Sequence, residues 1–380
     1  MFKIGGLPAR APQQVHAVSV GETRAAEPLI AALKQKYPGH RILLTHMTPT
    51  GRETGVALFG DGVARCYLPY DFPFAVGAFL DHFKPACGVL LETEIWPNLI
   101  RACNVRDIPI YLANARLSEK SLRRYRRFRG FAATALRGLT AIAAQSADDA
   151  ARFHELGAIA VNTVGNLKFD ITPDQALVAR GAASRTQYGS RRVLLLASTR
   201  EGEEELFLQA LAGGETADML VVLVPRHPQR FEEVADLLKR FAIPCQRRSS
   251  NETVAASTQV LLGDSMGEMA AYYAACDVAI VCGSFLPFGA HNLIEACALG
   301  KPVVVGPHDF NFAEAVQLAV AGGAALQVGS AEDAVKTALA LLDDGGRMQR
   351  MSDAGRAFVA QHIGAAARLA ALIRPAGRPN

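Results

Sequence analysis

The chain predicts an α/β protein made of two doubly wound αβα units. Two observations carry this. Short, continuous apolar runs alternate with amphipathic helical segments from end to end, the pattern of a parallel sheet covered on both faces by helices. The alternation is interrupted once, at "GNLKFDITPDQALVARGAASRTQYGSRR", and then restarts with "RVLLLAST". At 380 residues the chain exceeds what one ordinary core accommodates, and roughly two or three domains are expected.

In the first half, "QVHAVSV" reads as a strand, and a helix follows over residues 23–36. "RILLTHM" leads to the helix "TPTGRETGVALF", "ACGVLLETE" to "WPNLIRACNVR", "IPIYLANA" to an Arg-rich helix, and "LTAIAAQS" to "ADDAARFHELG". The interruption sets a boundary near residues 170–188, so residues 1–172 form the first domain. In the second, residues 173–352, "DMLVVLVP" pairs with "RFEEVADLLKRFA", "TQVLLGDS" with "GEMAAYYAAC", "VAIVCGS" with "HNLIEACALG", and "PVVVGP" with "NFAEAVQLAVAG". A last segment, residues 353–380, carries one helix over 353–373 that is expected to cross back to the first domain. Ligands of such sheets bind outside the strand C-terminal ends, so the expected site is a cleft across which the two domains face.

Composition excludes several classes. Half the residues are hydrophobic and 20% are charged, as in soluble globular proteins and unlike disordered ones. A net charge of +4 implies no partner by itself. The seven cysteines are scattered, form no CxxC pair and sit mostly in apolar runs, which reads as a reducing compartment with cysteine used as a small core residue. The nine histidines show no ligand spacing, so no metal is expected. Residues 1–14 lack the apolar core of a signal peptide, and no run of ~18 apolar residues is present to span a bilayer. Without GxGxxG or GxxxxGK[ST], a dinucleotide dehydrogenase and a P-loop ATPase are disfavoured.

Chemistry-bearing residues gather at strand-to-helix corners. Glu22 stands where a buried strand gives way to a helix, in "HAVSVGETRAAE". Further corners are 48–51, Glu92-Thr93-Glu94, Asn114-Ala115-Arg116, 198–202, Pro225-Arg226-His227-Pro228, 263–268 and 291–295. Helix capping accounts for any one of them. Charged corners repeated on the same edge of both units point to a ligand edge instead. In the second unit the helix starts offer N–H groups to a phosphate, and Arg226 offers a guanidinium that matches its oxygens. Glu295, three residues after Asn292, can accept from two ribose hydroxyls or serve as a capping partner of Asn292.

The segment "NARLSEKSLRRYRRFRGFAATALRGL" concentrates Arg116, Lys120, Arg123, Arg124, Arg126, Arg127, Arg129 and Arg137, opposed only by Glu119, with Leu117, Leu122, Tyr125 and Phe128 among them. It reads either as a solvated helix face or as a basic amphipathic surface for an anionic membrane or a phosphorylated ligand. Nothing else supplies the aromatic and basic platform that RNA binding needs, so no nucleic acid partner is expected.

The pieces "HAVSVGE", "TPTGRE", "YLPYDFP", "ETEIWPNLI", "NARLSEKS", "GNLKFD", "STREGEE", "PRHPQRF", "LGDSMGEM" and "HNLIEACALGKPVVVGPHDFNF" run in order over residues 15–315. Together they resemble the bacterial 3-deoxy-D-manno-octulosonic acid (Kdo) transferases of lipopolysaccharide assembly. The resemblance implies a GT-B glycosyltransferase with two Rossmann-like domains, CMP-Kdo as donor and a lipid A precursor (lipid IVA) as acceptor. It also implies inversion at the anomeric centre, with no metal or cofactor. It makes Glu22 the base, with Glu92 stabilising the oxocarbenium-like sugar and Lys168, in "GNLKFD", reaching the leaving-group charge. Pro225, Arg226, Met266, Gly267, Glu268, Asn292, Leu293, Ile294 and Glu295 form the CMP site.

Two departures from the family stand out. The hydrophobic anchor helix and basic stretch that usually open these enzymes do not precede the first strand here: either the sequence as given starts late, or the protein is expected to hold the cytoplasmic face of the inner membrane peripherally, through the segment from Arg116 to Arg137. Ala290 stands where a second glycine is expected before His291-Asn292. Alternatives left open are a GT-B transferase for another nucleotide sugar and a catalytically silent GT-B protein that binds anionic lipid.

Overall fold

The computed structural model describes residues 12–212 and 218–376. Residues 1–11, most of the N-terminal stretch without a signal-peptide apolar core, lie outside them. The chain divides into two compact units, residues 1–170 with 362–380, and residues 171–361.

Unit 1 holds seven strands: β1 (Gln13–His16), β2 (Ile42–His46), β3 (Ala64–Tyr67), β4 (Cys87–Leu91), β5 (Ile110–Ala115), β6 (Ala141–Ala144) and β7 (Val161–Thr163). Their order is β3-β2-β1-β4-β5-β6-β7, and every pairing is parallel. Successive side chains point to opposite faces. Leu43, Leu90, Leu112 and Ile142 therefore pack on one face with Leu80, Ile100, Leu136 and Phe153 from helices. Val15, Leu44, Val89 and Tyr111 pack on the other with Leu29, Ile30, Leu33 and Leu369. Burial on both faces is why these strands read as unbroken apolar runs.

Unit 2 repeats the plan with β8 (Arg192–Thr199), β9 (Met219–Pro225), β10 (Cys245–Arg247), β11 (Val260–Leu262), β12 (Val278–Val281), β13 (Val303–Val305) and β14 (Ala325–Gln327). The order is β10-β11-β9-β8-β12-β13-β14, again parallel throughout. Leu194, Leu196, Val221, Leu223 and Ile280 pack against Phe207, Leu208, Val234, Leu238 and Leu341.

Several helices differ from expectation. The segment 23–36 is two helices, Val20–Ala25 and Glu27–Lys36. Pro28 near the start of the second cannot donate to the first, and its ring crowds the carbonyl four residues back. The Arg-rich segment is also two, Glu119–Arg126 and Arg129–Arg137. The closing segment breaks into Gly345–His362 and Ala365–Leu372 at Gly364, whose φ of 98° no ordinary helix residue adopts. Within unit 1, Asp170 accepts from the N–H groups of Gly364 and Ala366, and Lys36 donates to the carbonyl of Ala370 at 2.7 Å. The interruption near 170–188 contains an unexpected helix, Gln175–Gln187, capped by Asp174.

Candidate active site

In unit 1 the chain winds from β1 out to β3 and resumes at β4 on the other side of β1. The crevice outside the C-terminal ends of β1 and β4 is therefore the topological switch point, where doubly wound sheets hold ligands. Glu22 follows β1 and Glu92 follows β4.

Glu22 is held by its own helix start. Ser19 Oγ accepts from the Glu22 N–H at 3.3 Å and donates to Oε1 at 2.9 Å, while the Val18 N–H donates to Oε2 at 2.9 Å. This is a capping box in form. Capping and catalysis are thus compatible here, because the cap fixes the carboxylate at the switch point. The loop is supported from β2: Thr48 Oγ1 donates to Val18 O at 3.0 Å, and a side chain at Gly51 would come within 2.9 Å of that same carbonyl. Burial pushes the Glu22 carboxyl up to about 7, against the pull of the Val18 and Ser19 hydrogen bonds and with the charges of Glu92 and Glu94 adding to the rise. A carboxyl poised near neutrality suits a general base at physiological pH.

Glu92 has φ 58°, the left-handed region. Its N–H donates to Ala113 O at 2.9 Å, and its carbonyl accepts from Arg116 N–H at 3.4 Å. Glu94 accepts from Trp96 Nε1 at 2.7 Å. The structure thus gathers Glu22, Glu92 and Glu94. Lys168 lies further along the edge, on the turn Leu167–Phe169 after β7. A ladder of amides carries that turn: Gln145 donates to Asn114 O at 2.8 Å, Asn166 to Gln145 at 2.9 Å, and Leu167 N–H to Asn114 Oδ1 at 3.0 Å.

In unit 2 the switch point lies between β8 and β12. Glu203, fully buried, closes it by accepting from Gly283 N–H at 2.7 Å, Phe285 N–H at 3.0 Å and Arg200 N–H at 2.9 Å. Burial nonetheless raises its carboxyl above the usual range. Sequence reasoning missed this residue; the available signal was a run of three acids, Glu203 to Glu205, just past a glycine in a helix's first turn. Pro225 ends β9 and Arg226 follows, its N–H donating to Thr199 O at 3.0 Å. His291 packs against Gly283, where an added side chain would come within 2.8 Å of the ring. Burial holds His291 down to about 3, with the charges of Arg226 and Arg200 contributing.

Asn292 Oδ1 caps the following helix by accepting from Ile294 N–H at 2.9 Å. Leu293 and Ile294 bury their side chains in the core, so they offer a ligand only main chain. Glu295 is half-buried, its carboxyl raised by desolvation. It makes no capping bond to Asn292, whose side chain caps by itself. Glu268 is engaged by Arg180 at 2.6 Å, Arg248 at 3.3 Å and Ser265 at 2.6 Å. It shapes the loop on which Met266 is 52% exposed and Gly267 adopts φ 78°. Among the described residues no group of three or more His, Cys, Asp or Glu is placed to hold a metal ion.

Comparison with known proteins gives consistent results. A family model described as 3-Deoxy-D-manno-octulosonic-acid transferase (kdotransferase) matches residues 4–171, and one described as Glycosyl transferases group 1 matches residues 244–358. The chain is 46% identical to the 3-deoxy-D-manno-octulosonic acid transferase of Bordetella pertussis, covering 95% of this chain and 86% of that protein. It is 40% identical to the transferase of the same name from Haemophilus influenzae, with coverage of 95% and 86%. In fold it is similar to UDP-GlcNAc 2-epimerase from Neisseria meningitidis, with a TM-score of 0.63 over 95% of this chain and 98% of that one at 15% identity. The fold class is GT-B, with two Rossmann-like units. The chain belongs to the 3-deoxy-D-manno-octulosonic acid transferase family of glycosyltransferases.

Proposed function

We propose that the protein transfers Kdo from CMP-Kdo to a lipid A precursor, lipid IVA, with inversion at the anomeric carbon. The observation that carries this reading is the Glu22 carboxyl, fixed by its cap at the switch point of unit 1 and poised at about 7. Glu22 takes the proton of the acceptor hydroxyl as that oxygen bonds to the anomeric carbon. The bond from that carbon to the phosphate oxygen breaks, and CMP leaves with the electron pair. Arg226 and the helix-start N–H groups of unit 2 meet the charge on the phosphate, with Lys168 as a further cation. Glu92, held in a strained backbone conformation, stabilises the positive charge of the sugar; such strain is characteristic of functional positions. Glu295 accepts from the ribose hydroxyls, and Met266 and Gly267 line the cytidine on the loop that Glu268 holds. Neither a metal nor a cofactor has a role.

The acceptor is an amphiphile, and we place the protein peripherally on the cytoplasmic face of the inner membrane. Arg123, Arg124, Arg127 and Arg129 are exposed, with Phe128 and Phe131 each 67% exposed among them. That mixture suits an anionic lipid surface better than a solvated helix face. Arg126 is tied to Glu155 at 2.6 Å, so Glu119 is not the segment's sole counter-charge. No described helix is long and apolar enough to cross a membrane. The test is to incubate the protein with CMP-Kdo and lipid IVA and weigh the products by mass spectrometry. Addition of one or more Kdo residues is expected. Absence of product, or product only with a UDP-sugar, overturns the reading.

A further inference from the structure

Arg200 follows β8 directly, as Arg226 follows β9. The two loops leave the sheet side by side, joined by the Arg226 N–H to Thr199 O bond of 3.0 Å. Neighbouring strands lie ~4.8 Å apart, so two guanidinium-bearing loops stand at adjacent positions on one edge. The Arg200 guanidinium is stacked over the Phe288 ring at 4.3 Å, and its Nε donates to Glu201 at 3.1 Å. Its Nη1 and Nη2 meet no hydrogen-bond acceptor among the described residues. The stack and the Nε bond hold the plane still, and the outer fork is left open. Such a fork matches a carboxylate bidentately.

The donor carries two anionic groups close together. One is the phosphodiester. The other is the carboxylate of the octulosonic acid, attached to the same anomeric carbon that bears the phosphate oxygen. We infer that Arg200 receives the carboxylate of the donor sugar while Arg226 receives the phosphate, so that Arg200 makes unit 2 selective for a CMP-linked sugar acid over CMP alone. The assignment rests on the proposed donor. The ends of β9 and β8, which carry Arg226 and Arg200, are neighbours in the strand order, so a phosphate on one and a carboxylate on the other lie side by side. His227 and His291 fit this picture, because both are held below the usual histidine range by burial first and then by the charges of Arg200 and Arg226. The two cations therefore converge on one small region. A purely structural Arg200 would only brace the loop at Phe288 and Glu201.

The test compares full-length wild type, Arg200→Ala and Arg200→Lys. Calorimetry measures CMP affinity, and transfer kinetics with freshly prepared CMP-Kdo give KM for the donor. Arg200→Ala is expected to keep CMP affinity within about threefold, which also reports that the site is folded, while donor KM rises ~10–100-fold, the scale of a lost charge-assisted bond. Arg200→Lys keeps the charge without the fork and should recover part of that loss. Equal losses for CMP and CMP-Kdo, or no change in donor KM, overturn the assignment alone. Failure of the wild type to bind CMP at all overturns the donor reading, and this assignment with it.

Discussion

Replacing Glu22 by Gln separates the two things its carboxylate does. Gln keeps the size and can still accept from the Val18 N–H, but it cannot take a proton. Turnover should fall by ~10²–10⁴, the range for losing a general base. The pH profile makes the test sharper. With the wild-type carboxyl at about 7, the ionised fraction drops roughly tenfold for each pH unit below that, so the rate at pH 5 should be about 1% of its plateau. In Glu22→Gln this acid limb should vanish. Stability moves as well, with a sign that follows from the direction of the perturbation. The folded protein holds this proton up to about 7, whereas the unfolded chain releases it near 4.5. Below 4.5 both states are protonated and burial of Glu22 costs nothing. The cost grows as pH rises through the window between the two values and is complete above 7. At ~1.36 kcal/mol per pH unit the gap is about 3 kcal/mol at most, and residual solvent contact reduces it to about 1–2 kcal/mol. The stability of Glu22→Gln relative to wild type should therefore improve between pH 4.5 and pH 8, as read by urea melts. A variant that turns over within a few fold of wild type, or that retains the acid limb, refutes the assignment of Glu22 as base.

Arg226→Ala should weaken CMP binding by about 1.5–3 kcal/mol in calorimetry, the scale of one hydrogen bond to a charge; unchanged affinity removes the phosphate role. Glu203→Ala strands the N–H groups of Gly283, Phe285 and Arg200. At ~1–3 kcal/mol for each unpaired donor the loss in urea unfolding should exceed about 3 kcal/mol, and a change under about 1 kcal/mol would contradict the locking role. Replacing Arg123, Arg124, Arg126 and Arg127 with Gln should reduce sedimentation with phosphatidylglycerol vesicles at low salt while CMP affinity stays. Arg126 is paired with Glu155 at 2.6 Å and Arg123 more loosely with Glu119 at 3.5 Å, so Arg124 and Arg127, with part of Arg123, at about 1 kcal/mol each, carry most of an expected drop of ~30–100-fold. Equal pelleting of variant and wild type would leave the segment a solvated helix face.

The strands that sequence reading found and missed divide along one physical line. β1, β2, β4, β5 and β6 were legible, as were β8, β9, β11, β12 and β13, because both faces are buried and each reads as an apolar run. β3 and β7 are the outer strands of one sheet, and β10 and β14 of the other. Their residues are largely half-exposed or exposed, and each has only three or four residues, so neither a run nor an alternation survives. The helix Gln175–Gln187 was hidden for a different reason. Its sequence, "QALVARGAASRTQ", has no broad apolar stripe. It is held instead by close approach to the helix Met269–Ala275, where a side chain on Gly181 would collide with the Ala271 carbonyl. Packing of small residues leaves little periodic signal.

The candidate site is legible where its contacts are local and obscure where they are assembled across the sheet. Glu22 could be read because the box from Ser19 to Glu22 spans three residues. The Glu203 lock could not, because its partner Gly283 stands 80 residues away and only the meeting of β8 and β12 joins them. Backbone strain is equally silent in a sequence. Glu92, Asn114, Ser198 and Ala290 all have positive φ and all stand at strand ends or in the loops that follow strands, where strain is retained only if the surroundings over-determine it. Ala290 shows what this means for motif reading. An alanine in place of an expected glycine suggests an altered loop, yet Ala290 adopts φ 65° and donates to Gly283 O at 2.7 Å. The loop imposes a glycine-like conformation on a residue that resists it by roughly 1–2 kcal/mol. The backbone turn that seats His291 against Gly283 therefore forms here without the glycine, because Glu203 accepts from the Gly283 and Phe285 N–H groups at one end and the Gly283 carbonyl accepts from the Ala290 N–H at the other.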